Sequence, residues 1–285
     1  ALSRMEILDE IWVENKDIYE NLKNRVETTK ISLIKPHMDT SLTQCIPDVG
    51  TYNEFLRRSR QEFQDKFIFY AIGSLSEREG ATELICAYIS EFSLSDNCVL
   101  IYVLEQSADG GEVNKMIDDC GRRVGAIQPE DQRPLIHVMN PQLAYGRISL
   151  LPPEARLAAH KDGDCFVCPD YSLNCSSLIL ESVIAQSTPI INKNTTAYEL
   201  LGESGAWGVE SYKDNCLLNH RSFDDMFTSK ETCVKPIVKS LSHSMREAYT
   251  NKLLRDKKRL NNIETTQSFE SDAYYDSLEE LLCSR

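Results

Sequence analysis

Between Asp164 and Asn192 the chain passes from an apolar run through a polar loop to a helix-like segment and on to a second apolar run. Cys165-Phe-Val-Cys168 stops at Pro169, which has no N–H to extend a ladder. Asp170, Ser172 and Asn174 make the following loop polar. Ser176 and Ser177 offer helix N-caps ahead of Leu178, Ile179, Val183 and Ile184, and Thr188-Pro-Ile-Ile191 begins the next strand. A strand, a helix and a strand joined in this way form a crossover, which lays the two strands parallel in one sheet. Where the first strand gives way to the helix, free backbone N–H groups and the positive helix end favour an anion.

The same alternation runs through the middle of the chain. Phe67-Ile-Phe-Tyr-Ala-Ile72 reads as a buried strand ended by Gly73, followed by a loop from Ser74 to Gly80 and a helix from Ala81 to Phe92. Cys98 to Leu104 is a second such strand, then a Gly-Gly loop, a helix over Glu112 to Val124 and a strand over Leu135 to Met139. Pro153 to His160 forms a short helix with proline in its first turn. Beyond the opening stretch, Thr196 to Leu201 is a helix closed by Gly202, and Ala206 to Val209 is a strand. The expected class is therefore α/β, a parallel sheet with helices on both faces.

The two ends read differently. Leu8 to Val13, Asn15 to Val26 and Ile31 to Ile34 give strand, helix and strand; His37 to Ser59 reads as a linker. From about Ser222 no strand signal remains. Cys233 to Lys258 fits one long helix ended by Asn261 and Asn262, its Lys and Arg residues forming a solvated C-terminal end, and Ser271 to Leu282 fits a closing acidic helix. These boundaries divide the chain into an entry segment over 1–60, a ligand-binding α/β domain over 61–220 and a helical tail over 221–285.

A net charge of -13 argues against a nucleic acid partner, whose phosphates need basic surface. With 41% hydrophobic residues the chain can build a core, yet no run reaches the roughly 20 apolar residues of a membrane span. The N-terminal Ala-Leu-Ser-Arg-Met-Glu carries no signal peptide and lacks an initiator Met, so the chain reads as a fragment or a processed product. Ten cysteines are spread along the chain and read as reduced, buried thiols of a cytoplasmic protein. Cys165 and Cys168 have the spacing of a metal pair, but no second pair follows, so neither a metal nor a cofactor is expected. Asp162-Gly-Asp164 precedes its strand, on the side away from the ligand edge. His37, His137 and His160 have no partner at useful spacing, and His137 reads as core.

The order strand–Gly–loop–Gly–helix, then Asp164-Cys-Phe-Val-Cys-Pro169, then Glu181, Pro189-Ile-Ile and Glu199-Leu-Leu resembles the C-terminal, donor-binding half of GT-B-fold retaining glycosyltransferases of the group-1, family-four class. Glu10-Ile-Trp-Val13 and Ile31 to Asp39 resemble that family's last N-domain segment and its entry into the C-domain, making 1–60 the tail of an N-terminal domain and a linker, and Gln267 to Leu281 resembles the closing tail, so the resemblance covers nearly the whole chain. It implies a Rossmann-like domain that holds a nucleotide-sugar donor, an unknown acceptor held by a missing N-terminal domain, and transfer of a hexosyl group with retention. The implied donor-binding positions are Gly73, Ser74, Arg78, Asn174, Cys175, Ser176, Ser177 and Glu181, with Glu181 on the ribose; the catalytic residues belong to the missing domain.

The chain departs from the family at the phosphate site. Ser74 stands where the family has arginine, Glu79 where it has lysine, and Leu173 where it has an acid; Asn174-Cys175-Ser176 replaces the glycine turn. Arg78 is the nearest basic substitute. At about 1.5–3 kcal/mol per charge-assisted contact, the exchange weakens diphosphate binding by several kcal/mol. The alternatives are a catalytically degenerate glycosyltransferase-like binding module and, further off, a flavodoxin-like binding domain.

Overall fold

The computed structural model describes residues 5–34, 61–63, 65–105, 108–125, 132–139, 151, 153–171, 176–215, 232–267, 279 and 283. In chain order the elements are β1 (Glu10–Val13), α1 (Lys16–Lys23), β2 (Lys30–Leu33), β3 (Phe67–Gly73), α2 (Ala81–Glu91), β4 (Cys98–Leu104), α3 (Gly110–Arg123) and β5 (Ile136–Met139). They continue with α4 (Pro153–Asp162), β6 (Cys165–Cys168), α5 (Ser177–Ile184), β7 (Ile190–Asn192), α6 (Thr196–Gly205), β8 (Trp207–Val209), β9 (Ser211–Asn215), β10 (Thr232–Pro236), α7 (Val238–Thr250) and α8 (Lys252–Gln267).

The central sheet has six parallel strands in the order β5-β4-β3-β6-β7-β8. Helices cover both faces, as the unbroken apolar runs require: all seven residues of β4 are buried. Along β3 the side chains alternate between two cores. Ile68, Tyr70 and Ile72 join Ala158, Ala159, Ile179 and Val183 of α4 and α5. Phe69 and Ala71 face Leu84 and Tyr88 of α2 and Leu241 and Met245 of α7. Each large side chain so buried contributes about 1.5–3 kcal/mol, and this offsets the entropy of ordering the chain.

Local caps set several helix starts. Asn15 accepts from the Ile18 N–H at 2.9 Å, and its amide reaches Thr196 Oγ1 at 2.9 Å, tying the first strand–helix–strand unit to α6. Asp109 caps α3, so Gly110 and Gly111 open that helix rather than forming the expected loop. Thr195 caps α6, and Gly202, at φ 59 and ψ -170, interrupts its regular geometry as the sequence suggests.

The C-terminal section corrects the sequence reading. Thr232–Pro236 is a strand, antiparallel to β9, which was likewise unexpected. The polar residues of β9 carry no apolar alternation, so pairing rather than pattern makes the ribbon. The long helix is two helices, α7 and α8, parted at Asn251 (φ -101, ψ 75). Asn261 and Asn262 lie inside α8 and do not end it. Asn262 is fully buried and donates to the carbonyls of Gly205 (3.0 Å) and Ser187 (3.4 Å). The basic run is not simply solvated either. Lys258 is buried, donates to the carbonyls of Glu203 and Ala206 and lies over the Trp207 ring. Arg255 bonds the last carbonyls of α7 and stacks on Phe67.

The expected linker over 37–59 and nearly all of the closing helix over 271–282 lie outside the described residues. Among the described residues, Cys86, Cys98, Cys120, Cys165 and Cys233 are buried free thiols, as expected, whereas Cys168 is half-buried and Cys283 is exposed, against the expectation. Among the described residues no helix is long and apolar enough to cross a membrane.

Candidate functional site

The chain leaves β3 toward β4 and β5, then returns through α4 to place β6 on the other side of β3. Connections that diverge in this way open a crevice beyond the C-terminal ends of the two strands. A cavity of about 270 Å³ fills it, bounded by Ile72 and Gly73 of β3, Cys168 to Asp170 after β6, the start of α5 and Arg156 of α4. Asp164 lies at the opposite end, accepting from the Ile68 N–H at 2.8 Å, so the Asp-Gly-Asp sequence stands away from the cleft as expected.

The loop after β3 is folded tightly against Pro169. Gly80 has φ +69, and a Cβ there would come within 2.5 Å of the Pro169 carbonyl oxygen, so only glycine permits the approach. The Arg78 carbonyl accepts from Tyr171 N–H at 3.0 Å, joining the two rims. The 3₁₀ turn Glu77–Glu79 turns the Glu79 carboxylate back into the cleft, where it accepts from the Ser74 N–H and, at 3.0 Å, from the Ser74 hydroxyl. The Tyr102 hydroxyl donates to the Ser74 carbonyl at 2.8 Å. Burial pushes the Glu79 carboxyl up to about 6; the two Ser74 bonds oppose this, and nearby Glu105 and Asp170 add to it. A carboxylate thus sits on the amide that closes β3.

Of the expected ligand positions, Gly73, Ser176 and Ser177 line the cleft. Ser74 is occupied by Glu79. Arg78 is exposed and is not part of the lining, so it brings no cation into the cleft. Ser176 holds the N-cap position of α5 but makes no side-chain cap bond, and Ser177 is already the first helical residue; the expected serine cap is geometric only. Leu173, Asn174 and Cys175 lie outside the described residues.

Glu181 is 6% exposed and is not part of the cleft lining. Its oxygens accept from Arg156 Nη2 at 3.1 Å and Nε at 3.3 Å. His160, which shows no partner in the sequence, stands behind it: Nε2 is 3.7 Å from the carboxylate, and Nδ1 is 3.0 Å from the Tyr70 hydroxyl. At 3.7 Å the ring lies beside the carboxylate but beyond hydrogen-bond reach. Burial holds His160 below its ordinary value, against the pull of Glu181. Burial raises the Glu181 carboxyl, but His160 and Arg156 outweigh it and hold the group below the usual range. Residues 70, 156, 160 and 181 come from one strand and two helices, and no spacing in the sequence announces the cluster.

Arg156 was not among the expected site residues, nor were the acids Glu105 and Asp170 that share the lining with Glu79. Among the described residues no group of three or more His, Cys, Asp or Glu is arranged for a metal. Cys165 is buried with its thiol 3.1 Å from the Thr188 carbonyl, while Cys168 is half-buried.

No family model and no curated protein matches this sequence. Solved structures do match its fold. The α,α-trehalose-6-phosphate synthase of Burkholderia multivorans aligns over 99% of this chain and 61% of its own, at TM-score 0.68 and 11% identity. A UDP-forming α,α-trehalose-phosphate synthase of Burkholderia xenovorans in complex with glucose-6-phosphate aligns over 99% and 63%, at TM-score 0.68 and 9% identity. The N-terminal domain of the Candida albicans trehalose-6-phosphate phosphatase aligns over 98% and 59%, at TM-score 0.61 and 14% identity. The chain thus spans about three fifths of the structures it matches, and at these identities the likeness is one of fold, the Rossmann-like sheet of a GT-B domain.

Proposed function

We propose that this chain is the donor-side portion of a glycosyltransferase that transfers a hexosyl group from a nucleotide-sugar, with retention, to an acceptor held by a second domain. The observation that carries the proposal is the cleft at the C-terminal ends of β3 and β6, with the α5 N-terminus on one wall and Arg156 on another. A leaving diphosphate gains negative charge in the transition state, and helix N–H groups and a fixed cation oppose that charge. The fold shared with a UDP-forming synthase makes a uridine diphosphate sugar the first donor to test. Membership of the family-four class rests on the order of motifs in the sequence, and a reducing, cytoplasmic setting on the free thiols.

One observation favours a second reading, a glycosyltransferase-like module that binds without catalysis. Glu79 occupies the Ser74 amide, and Glu105 and Asp170 share the same cleft, so the site is acidic where a diphosphate needs cations. The same fold also occurs in a domain of a protein named a phosphatase, so fold alone does not specify activity. Titrating the full protein with UDP, GDP and their sugars, followed by ligand NMR, separates the readings. Binding together with release of UDP in the presence of sugar acceptors supports the enzyme, and binding without turnover supports the module. Absence of binding to every nucleotide refutes the donor-site reading.

A further inference from the structure

Among the described residues that line the cleft, Arg156 is the one basic side chain. It arrives from α4 and shares the cavity lining with Gly73 and Glu79. Nε and Nη2 form a fork on Glu181, which leaves Nη1 uncommitted among the described residues. Arg156 keeps 24% of its side chain exposed, while Glu181 keeps 8%. Behind the carboxylate, at 3.7 Å, lies His160, which is 1% exposed and bonded to Tyr70. A guanidinium held along one edge by a two-bond fork has lost much of its rotamer freedom before any ligand arrives, so a contact to its free Nη1 costs little further ordering.

The end of β3 shows that the cleft already accepts an oxyanion. The carboxylate of Glu79 is bonded to the backbone N–H and hydroxyl of Ser74, at the end of β3. A ligand anion that displaces or joins this carboxylate would lie between the Ser74 amide, the start of α5 and Arg156. Glu181 bounds none of this space. Its oxygens are spent on Arg156, and a carboxylate so engaged is poorly placed to take the hydroxyls of a sugar.

We propose that Arg156 is the anion-recognising side chain of this cleft, binding a phosphate or diphosphate group, and that Glu181 is a positioning residue for it rather than a ligand of the ribose. The proposal rests on the donor-site reading for the identity of the ligand and deepens it by naming the cation that faces the diphosphate. The site's positive charge then comes from α4, replacing the two cations that Ser74 and Glu79 have supplanted in the loop after β3.

The test is calorimetric titration of the full chain with three probes: uridine, UDP and inorganic pyrophosphate. Arg156→Gln should weaken UDP and pyrophosphate by roughly 10- to 100-fold, the range expected for one lost charge-assisted hydrogen bond, and leave uridine unchanged. Arg156→Lys should recover part of the loss. Glu181→Gln should leave uridine affinity unchanged, whereas a ribose ligand would lose about tenfold or more. If a single variant unfolds, the double variant Arg156→Gln/Glu181→Gln pairs two amides, buries no lone charge and gives the same comparison. UDP and pyrophosphate binding that is indifferent to Arg156→Gln overturns the assignment and leaves the donor-site reading standing. Pyrophosphate binding that depends on Arg156, with UDP no tighter than pyrophosphate and no uridine binding, supports the anion site and removes the nucleotide. Failure of wild-type protein to bind either anion overturns both. Weakened uridine binding in Glu181→Gln overturns the positioning role.

Discussion

Replacing Glu79 with glutamine tests the electrostatics of the cleft directly. In the folded protein the Glu79 carboxyl is raised from 4.5 to about 6, chiefly by burial, with Glu105 and Asp170 contributing. A rise of about 1.5 units corresponds to about 2 kcal/mol at 1.36 kcal/mol per unit, and screening of a half-buried group reduces this to about 1–2 kcal/mol. The sign follows from where the proton binds more tightly. The folded state holds it more strongly than the unfolded chain, so Glu79 contributes stability that is fully present below pH 4.5 and lost as the pH rises through about 6. Above that pH the ionised carboxylate burdens the fold. Glutamine does not titrate, yet its amide oxygen can still accept from the Ser74 N–H. The stability of Glu79→Gln minus that of wild type should therefore climb by about 1–2 kcal/mol between pH 4.5 and pH 7. Urea unfolding followed by far-UV circular dichroism at half-unit steps from pH 4 to 8 measures it, because carboxylates common to both proteins cancel in the difference. A difference that stays flat across this range, or falls, refutes the assignment of Glu79 as a buried, disfavoured anion in the cleft.

Two further outcomes follow from single positions. Asn262→Leu should cost roughly 2–3 kcal/mol in chemical denaturation, because the Gly205 and Ser187 carbonyls lose their buried donor; an effect under about 0.5 kcal/mol would show that water or a shift of α8 replaces it. Gly80→Ala should destabilise by more than about 1 kcal/mol, since alanine meets both a positive φ and the Pro169 carbonyl, and a variant as stable as wild type in thermal melts would show that the loop after β3 is not held against β6.

The central strands were legible because burial on both faces leaves a continuous apolar run. Cys98 to Leu104 shows this most clearly, and observed and expected limits agree at both ends. The ribbon of β9 and β10 was not legible. Ser211 to Asn215 is polar and half-exposed, and its extended form depends on a partner some twenty residues on. Cys233 to Lys258 has helical spacing, but Thr232–Pro236 pairs as a strand, and proline at 236 has no N–H for a continuing helix. Asn262 reads as a helix breaker by propensity, yet two backbone carbonyls of neighbouring segments hold it inside α8.

At the site, the chain's residue order alone determined the parallel α/β class and the strand–helix junction at Pro169 to Ser177, since both depend on local periodicity and residue type. Which groups meet was decided only by the tertiary structure. Glu79 could be read as an acid in the loop after β3 but not as a carboxylate folded onto the Ser74 amide. Glu181 could be placed on a helix but not against Arg156, because the two lie 25 residues apart on separate helices. Charges and hydrogen-bond partners act over a few ångströms in space, and sequence spacing sets those distances only within a single helix or strand. Across β3, α4 and α5, packing sets them.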